Sequence, residues 1–178
     1  YKRQIEGTGA LTTVEGEPTT IGPGDFVVTP QWTWHDHRNS GGKPVIWLDV
    51  LATPLIDSLD TVFRETHDEP LHQMVRPDGA AAARYGSGLR PYDDSPHQHA
   101  SPILNYDATT SLAVLDAMHL AGEPDPVHGH KMRYVNPTSG GDATPTMAAF
   151  LQLLPAGFAG RDYRTSDGAI SVSYTHLR

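Results

Sequence analysis

Residues 24–39 restrict the fold of this chain more than any other segment. Their sequence is Gly-Asp-Phe-Val-Val-Thr-Pro-Gln-Trp-Thr-Trp-His-Asp-His-Arg-Asn. The aromatic and β-branched residues 26–29 predict a strand, and Pro30 directly after them predicts a tight turn. We expect this strand and turn to present the imidazole of His35 at a defined position. Asn39 is expected to hydrogen-bond the turn backbone.

The signs of β structure extend over the N-terminal part of the chain. The 17 Gly and 15 Pro, with few long helical patterns, are typical of a turn-rich β protein. Residues 5–16 predict a pair of strands with Gly turns, and residues 14–17 predict a hairpin break. The apolar run 44–51 predicts a further strand. Residues 1–56 are therefore expected to form the later part of a small β-barrel.

The pattern changes from about residue 57. Residues 57–121 are predicted to be a helix-containing connector, and residues 122–178 to begin a second β-region. The expected elements are, in order, short helices at 57–65 and 80–84, a longer helix at 106–120, strands at 134–137 and 147–154, and a turn at 155–157.

The two ends of the chain do not resemble the rest of it. Residues 1–4 and 171–178 are similar to translated adapter sequence on environmental gene fragments. We therefore expect the chain to be a piece of a longer protein, and we assign no functional role to Lys2, Arg3 or His176.

Charge and composition exclude several classes of function. The net charge of −8 and the pI near 5.6 argue against a nucleic-acid or anionic-membrane partner. No run approaches the roughly 18 apolar residues that a membrane-spanning helix needs. The absence of cysteine from the sequence excludes disulfides and thiolate metal sites. We expect a soluble, cytoplasmic protein.

The ten histidines include three pairs with H-x-H spacing. On a strand, residues i and i+2 face the same side, so such a pair can offer two imidazoles to one metal. The pairs are His35/His37, His97/His99 and His128/His130. We interpret His97/His99 as loop sequence and His128/His130 as structural or interdomain. His35 is anchored by the strand and turn before it, and is the candidate metal ligand.

The neighbours of His35 leave alternatives open. His37 is predicted either to stand over a substrate as a hydrogen-bond donor or proton shuttle, or to orient His35. Asp49 is an acid in an otherwise apolar strand, so it should bond a histidine or substrate hydroxyl, or reach solvent at a barrel end. Trp32 and Trp34 are predicted to wall an aromatic substrate or to pack in the core.

These residues resemble a known family. The spacing Gly24-x5-Pro30-x-Trp32-x2-His35-x3-Asn39 is similar to the second conserved motif of cupins, with Trp32 where many cupins have Gly. Together with Pro-Val-Ile-Trp-Leu-Asp at 44–49, it resembles the first barrel of gentisate 1,2-dioxygenases, grouped with salicylate and 1-hydroxy-2-naphthoate dioxygenases. Residues 129–137 and 147–158 are similar to the opening of the family's second barrel. The resemblance covers about residues 5–56 and 122–165.

The resemblance implies a bicupin fragment, mostly β, of the double-stranded β-helix or jelly-roll type. It implies Fe(II) held by three histidines, of which this chain would supply His35, with the other two lying upstream. His37 would contact bound substrate, and Asp49 would be an acidic residue near it. Arg38 and Val50 stand where many relatives have Gly, so the loop shape near the substrate is expected to differ.

The implied activity is extradiol-type cleavage of gentisate (2,5-dihydroxybenzoate) by O2 to maleylpyruvate. The substrate would alternatively be salicylate or 1-hydroxy-2-naphthoate. Two other classes remain open, namely a metal-dependent isomerase or similar cupin enzyme, and a non-catalytic small-molecule-binding module. The resemblance also implies a homo-oligomer, a tetramer. The chain by itself is expected to bind iron weakly and to lack ring-cleaving activity.

Overall fold

The computed structural model describes residues 2–93 and 99–173. These residues form nine strands and three helices. In chain order the elements are β1 (Lys2–Glu6), β2 (Ala10–Val14), β3 (Glu17–Ile21), β4 (Phe26–Val27), β5 (His35–Asn39), β6 (Ile46–Asp49), α1 (Thr53–Ser58), α2 (Ala80–Tyr85), β7 (Asn105–Tyr106), α3 (Ala108–Ala121), β8 (His130–Arg133) and β9 (Phe150–Leu153).

The first seven strands form two antiparallel sheets, ordered β6-β1-β4-β7 and β3-β2-β5. The predicted hairpin at 14–17 is confirmed, because it joins β2 to β3. The predicted pairing of strands within residues 5–16 is wrong, since β1 and β2 belong to different sheets. Gly7 and Gly9 have φ of +93° and +97° and carry the chain from one sheet to the other.

A small apolar core lies between the two sheets. Ala10 and Ile21 of the three-stranded sheet meet Val27 of the four-stranded sheet, and Val45 and Trp47 pack against them. The β2–β5 ladder then sets the position of β5 relative to this core. It places Ala10 opposite Asn39, Thr12 opposite His37 and Val14 opposite His35. Side chains alternate along a strand, so the inner face of β5 carries its histidines.

Asp25 ties the connector to the sheets. Asp25 is 6% exposed, and its carboxylate accepts a hydrogen bond from the Gly22 backbone N–H at 2.8 Å, which closes the turn at residues 22–25. It also accepts one from the Ala108 backbone N–H at 2.9 Å and one from Asn105 Nδ2 at 3.0 Å. Because β7 pairs with β4, the segment predicted to be a connector contributes a strand to the first sheet.

The helix predictions differ in outcome. The predicted helices at 80–84 and 106–120 are confirmed as α2 and α3, and the Asp107 side chain caps α3 by accepting from the Thr110 backbone N–H at 2.8 Å. The helix predicted at 57–65 is wrong, because α1 spans Thr53–Ser58 and residues 59–65 are not helical. Pro54 suits the first turn of this earlier helix. Among the described residues, no helix combines the length and apolar character needed to cross a membrane.

The second β-region is a two-stranded ladder of β8 and β9, against which α3 packs. The strand predicted at 134–137 is wrong, because the regular strand ends at Arg133 and Val135 makes only an isolated bridge with Asp142. The predicted turn at 155–157 is confirmed by a hydrogen bond of 3.0 Å from the Phe158 N–H to the Pro155 carbonyl.

A second apolar core joins the two β-regions. Phe26 and Val28 pack with Tyr134, Ala143 and Ala149. The Phe26 ring stacks on the Tyr134 ring with centroids 4.5 Å apart. The first and second β-regions are therefore packed against each other through β4.

Candidate functional site

The structure brings His35 and His37 together on the inner face of β5. Their ring centroids lie 5.3 Å apart, which confirms that the two imidazoles share one face of the strand. Asp36 lies between them in sequence and points to the opposite face, where it meets Arg38. Asn39 donates from Nδ2 to the Lys43 carbonyl at 2.8 Å, so it contacts the loop after β5 and not, as predicted, the turn before His35.

The ring of His35 is oriented by a backbone carbonyl. Its Nδ1 lies 3.3 Å from the Thr33 carbonyl oxygen. A carbonyl can only accept, so this contact requires the proton on Nδ1 and leaves the Nε2 lone pair free. The ring is exposed on the inner side of the strand. This is the tautomer that a metal ligand needs, so His35 fits the role of a single ligand.

His37 is exposed, as His35 is, but its ring has two defined neighbours. Its Nδ1 lies 2.8 Å from Oγ1 of Thr12, a residue with no exposed surface, and its ring meets the edge of Trp47 at 5.4 Å. Desolvation, followed by the positive charges of Lys2 and His35, lowers the pKa of His37 to about 4. At neutral pH the ring is an uncharged hydrogen-bonding group.

Asp49 lies at the end of β6 and pairs with a cation. Its Oδ1 is 3.7 Å from Nζ of Lys2, and its side chain is 38% exposed. The sequence left two interpretations of Asp49 open, and its position agrees with the second, an acid that reaches solvent at the end of a strand. The expected hydrogen bond to a histidine is not found among the described contacts of Asp49, although its charge acts on His37 through space.

Trp34 does not contact the histidine pair. Its ring meets the edge of the His67 ring at a centroid distance of 5.0 Å. Its backbone N–H donates to Glu15 Oε1 at 2.7 Å. Trp32 is 81% exposed and stacks on Phe63 at 5.3 Å, so it is not a core residue. Both tryptophans therefore contact the connector.

His128 and His130 make their contacts in the second β-region and with α3. His130 is 1% exposed, and its Nε2 is 2.9 Å from Nδ1 of His119 on α3. The His128 ring instead meets the edge of the Tyr163 ring, at 4.8 Å. His97 lies outside the described residues. The structure describes no group of three or more His, Asp, Glu or Cys side chains able to hold a metal.

The sequence analysis missed Thr12 and Trp47 as contacts of His37. Thr12 is buried directly across the ladder from His37, and Trp47 comes from the other sheet. A strand at residues 10–14 could be expected to place Thr12 on one of its two faces. Its contact with His37 could be predicted only with knowledge of the β2–β5 register.

Fold and site together define a cupin. The Cupin domain family (Cupin_2) matches residues 4–51, which contain the first six strands and the histidine pair.

Comparison with curated relatives and solved structures narrows the family. The chain is 45% identical over 166 residues to gentisate 1,2 dioxygenase 1 of Aquipseudomonas alcaligenes, covering 93% of this chain and 48% of the relative. It is 38% identical over 164 residues to a 1-hydroxy-2-naphthoate 1,2-dioxygenase of Nocardioides sp., covering 91% of this chain and 41% of the relative. These matches confirm the resemblance to gentisate 1,2-dioxygenases of the cupin type.

A solved structure supports the same assignment. The crystal structure of a salicylate 1,2-dioxygenase from Pseudaminobacter salicylatoxidans matches with a TM-score of 0.75 at 30% identity. The match covers 84% of this chain and 44% of that one. The chain spans about half the length of the curated relatives it matches.

Proposed function

We propose that this chain is part of an Fe(II)-dependent, extradiol-type dioxygenase that cleaves the ring of gentisate with O2 to give maleylpyruvate. The observation that supports this most strongly is the inward-facing pair of His35 and His37 on β5, in a chain 45% identical to a gentisate 1,2 dioxygenase. Relatives named for 1-hydroxy-2-naphthoate and salicylate make these acids the alternative substrates.

His35 is the proposed iron ligand of this chain. Its Nδ1 faces the Thr33 carbonyl, and its Nε2 is left free for the metal. The remaining ligands are proposed to lie outside the described residues. Among the described residues, no three or more His, Cys, Asp or Glu side chains come together in a way that could hold a metal ion. Bound iron would supply a cationic centre that holds an aromatic hydroxy acid beside O2.

His37 is proposed to contact the substrate. Thr12 and Trp47 hold its ring on the His35 side of the strand. The ring nitrogen not engaged by Thr12 is then available to a substrate hydroxyl or carboxylate.

Asp49 and Trp34 have weaker support. Asp49 is proposed as a catalytic neighbour that tunes the charge around His37. Trp34 remains a proposed substrate contact, which would require it to move from its present contact with His67. We also propose that the complete protein is a homo-oligomer with a cytoplasmic location.

The test is oxygen uptake by the complete protein, supplied with gentisate, salicylate or 1-hydroxy-2-naphthoate, together with its iron content. We expect gentisate-dependent uptake and bound iron. His35→Ala should lose iron and lower turnover at least about a hundredfold, because a metal ligand is removed. His37→Ala should keep iron and lower turnover about 10²–10⁴-fold, as expected for a lost proton-transfer or hydrogen-bonding group.

The matched control is His99→Ala, an exposed histidine outside the pair, which should change neither iron nor turnover. Full turnover in His35→Ala would refute the proposed ligand. Bound iron without uptake on any of the three acids would indicate another cupin enzyme, such as an isomerase. Absence of iron would indicate a non-catalytic binding module.

A further inference from the structure

A segment of the connector lies along the outer face of β5, behind the candidate site. We call residues 61–78 the strap. Side chains on β5 alternate, so His35 and His37 face inward while Asp36 and Arg38 face outward. The strap runs over this outward face and has no regular secondary structure.

Asp36 and Arg38 together clamp one residue of the strap. The His72 backbone N–H donates to Asp36 Oδ2 at 2.6 Å, and Arg38 Nη2 donates to the His72 carbonyl at 2.6 Å. The two side chains also bind each other, with Nη2 of Arg38 2.8 Å from Oδ2 of Asp36. Both backbone polar groups of His72 are thus satisfied by β5 through charged side chains, which form the stronger class of hydrogen bond.

The clamp is partly shielded from solvent. The Asp36 side chain is 11% exposed and that of Arg38 is 24% exposed. Burial raises the pKa of Asp36, but hydrogen bonds from Arg38, His72 and Thr13 outweigh it and leave that pKa below its usual value. The carboxylate is therefore held in its charged, hydrogen-bonding form.

The strap is fixed at two further points on the same sheet. The backbone N–H groups of Val75 and Arg76 donate to the Gly16 carbonyl at 2.8 Å and 3.0 Å. Asp78 Oδ2 accepts from the Thr20 hydroxyl at 2.6 Å. Gly16 has φ of +80°, and a Cβ there would collide with the Val75 side chain. The hairpin turn is thus shaped to receive the strap.

Aromatic contacts extend the strap to the turn before β5. Phe63 stacks on Trp32, and His67 meets the edge of Trp34. The strap therefore contacts the chain on both sides of His35. In the described sheets, β5 is an edge strand with β2 as its single neighbour. The backbone edge of β5 away from β2 has no neighbouring strand in these sheets, so side-chain contacts must hold that side of β5 in place.

We propose that the strap positions the inward-facing imidazoles of His35 and His37 by clamping β5 from behind, with Asp36 and Arg38 as the positioning residues. Displacement of Asp36 or Arg38 must tilt the same short strand that carries both imidazoles. The effect of this positioning on iron and substrate binding rests on the proposed function. The contact of the strap with β5 is independent of that function.

The test uses the chain itself and compares Arg38→Gly with Arg38→Lys. Hydrogen exchange over residues 70–76 measures the strap, and ¹H–¹⁵N spectra of the histidine rings measure the site. In Arg38→Gly we expect exchange about tenfold faster, since a hydrogen bond to a charged group is lost. We also expect shifted ring signals for His35 and His37. Arg38→Lys should be intermediate, because a lysine cannot form both bonds of the guanidinium fork.

The control is Arg164→Gly, at an exposed arginine beyond β9, which should leave both measurements unchanged. Unchanged exchange in the strap, or faster exchange with unmoved ring signals, would overturn the proposal. If Arg38→Gly does not fold, Arg38→Gln provides the same comparison with the charge removed. Neither measurement requires iron or turnover, so a failed clamp and a failed dioxygenase assignment would be separate results.

Discussion

Trp32 shows how one residue can depart from a family pattern at a cost. It has φ of +63°, in the left-handed region that favours glycine. Many cupins have Gly at this place in the motif, and the backbone here has kept the shape that suits glycine. The side chain is 81% exposed and stacks on Phe63 of the strap. Its contact with the strap offsets part of the backbone strain.

Because of this positive φ, we expect glycine to be more stable than alanine at position 32, the reverse of their usual order in a folded chain. Trp32→Gly and Trp32→Ala both remove the stack on Phe63, but only alanine retains the cost of positive φ. We expect Trp32→Gly to be more stable than Trp32→Ala by about 1 kcal/mol. Urea denaturation of the two variants measures this difference directly. Equal stabilities would show that the turn has relaxed to negative φ.

At the scale of elements, the strands around the site have two chemically different faces. The inner face of β5 carries the imidazole pair, and its outer face carries the clamp on the strap. Glu17 on β3 makes a related attachment, because its Oε1 accepts the Ala81 backbone N–H at 2.9 Å and joins β3 to α2. Glu17 is only 3% exposed, and burial raises its pKa above 4.5.

A raised carboxyl pKa gives stability a definite pH dependence. The folded state favours protonated Glu17, so its stabilising contribution is complete below the unfolded pKa and is lost as the pH rises through the folded pKa. Glu17→Gln keeps an oxygen acceptor for Ala81 without the charge. We expect this variant to gain stability relative to the parent chain as the pH rises through the raised pKa of Glu17 in the folded state.

Urea denaturation at several pH values measures this gain. Glu65→Gln, at an exposed position, is the matched control and should run parallel to the parent chain. If the free energy of unfolding of Glu17→Gln also ran parallel to that of the parent chain across these pH values, the raised pKa of Glu17 would be contradicted.

At the scale of the whole molecule, one aromatic cluster joins the parts of the chain. Phe26 of β4 stacks on Tyr134 of the second β-region and contacts Tyr106 of β7 at 5.6 Å. The Tyr106 hydroxyl donates to the Val135 carbonyl at 2.6 Å. Residues from the predicted first barrel, connector and second barrel therefore share one core.

Truncation at the centre of this cluster should affect both β-regions. Phe26 is 2% exposed, and we expect Phe26→Ala to lower the free energy of unfolding by about 3–5 kcal/mol. Hydrogen exchange should increase in both β4 and β8, because the loss lies at their shared core. Phe63→Ala, which removes a 59% exposed ring, should cost far less. Loss of protection in β4 alone would mean that the two regions are stabilised independently.

Local patterns were sufficient for much of the fold. Turn residues predicted the hairpin at 14–17, the i, i+2 spacing predicted the shared face of His35 and His37, and helical spacing predicted the helix that became α3. These features depend on backbone preferences and spacing within a few residues, which a sequence states directly.

Contacts between segments distant in sequence could not be predicted from local sequence patterns. The sequence by itself determined that His35 and His37 face together and that the motif is that of a cupin. Only the tertiary structure decided that Thr12 and Trp47 contact His37, and that His72 of the strap binds behind it. These partners are 10 to 36 residues apart and meet only through sheet register and chain crossing. A pattern within a few residues carries no information on either.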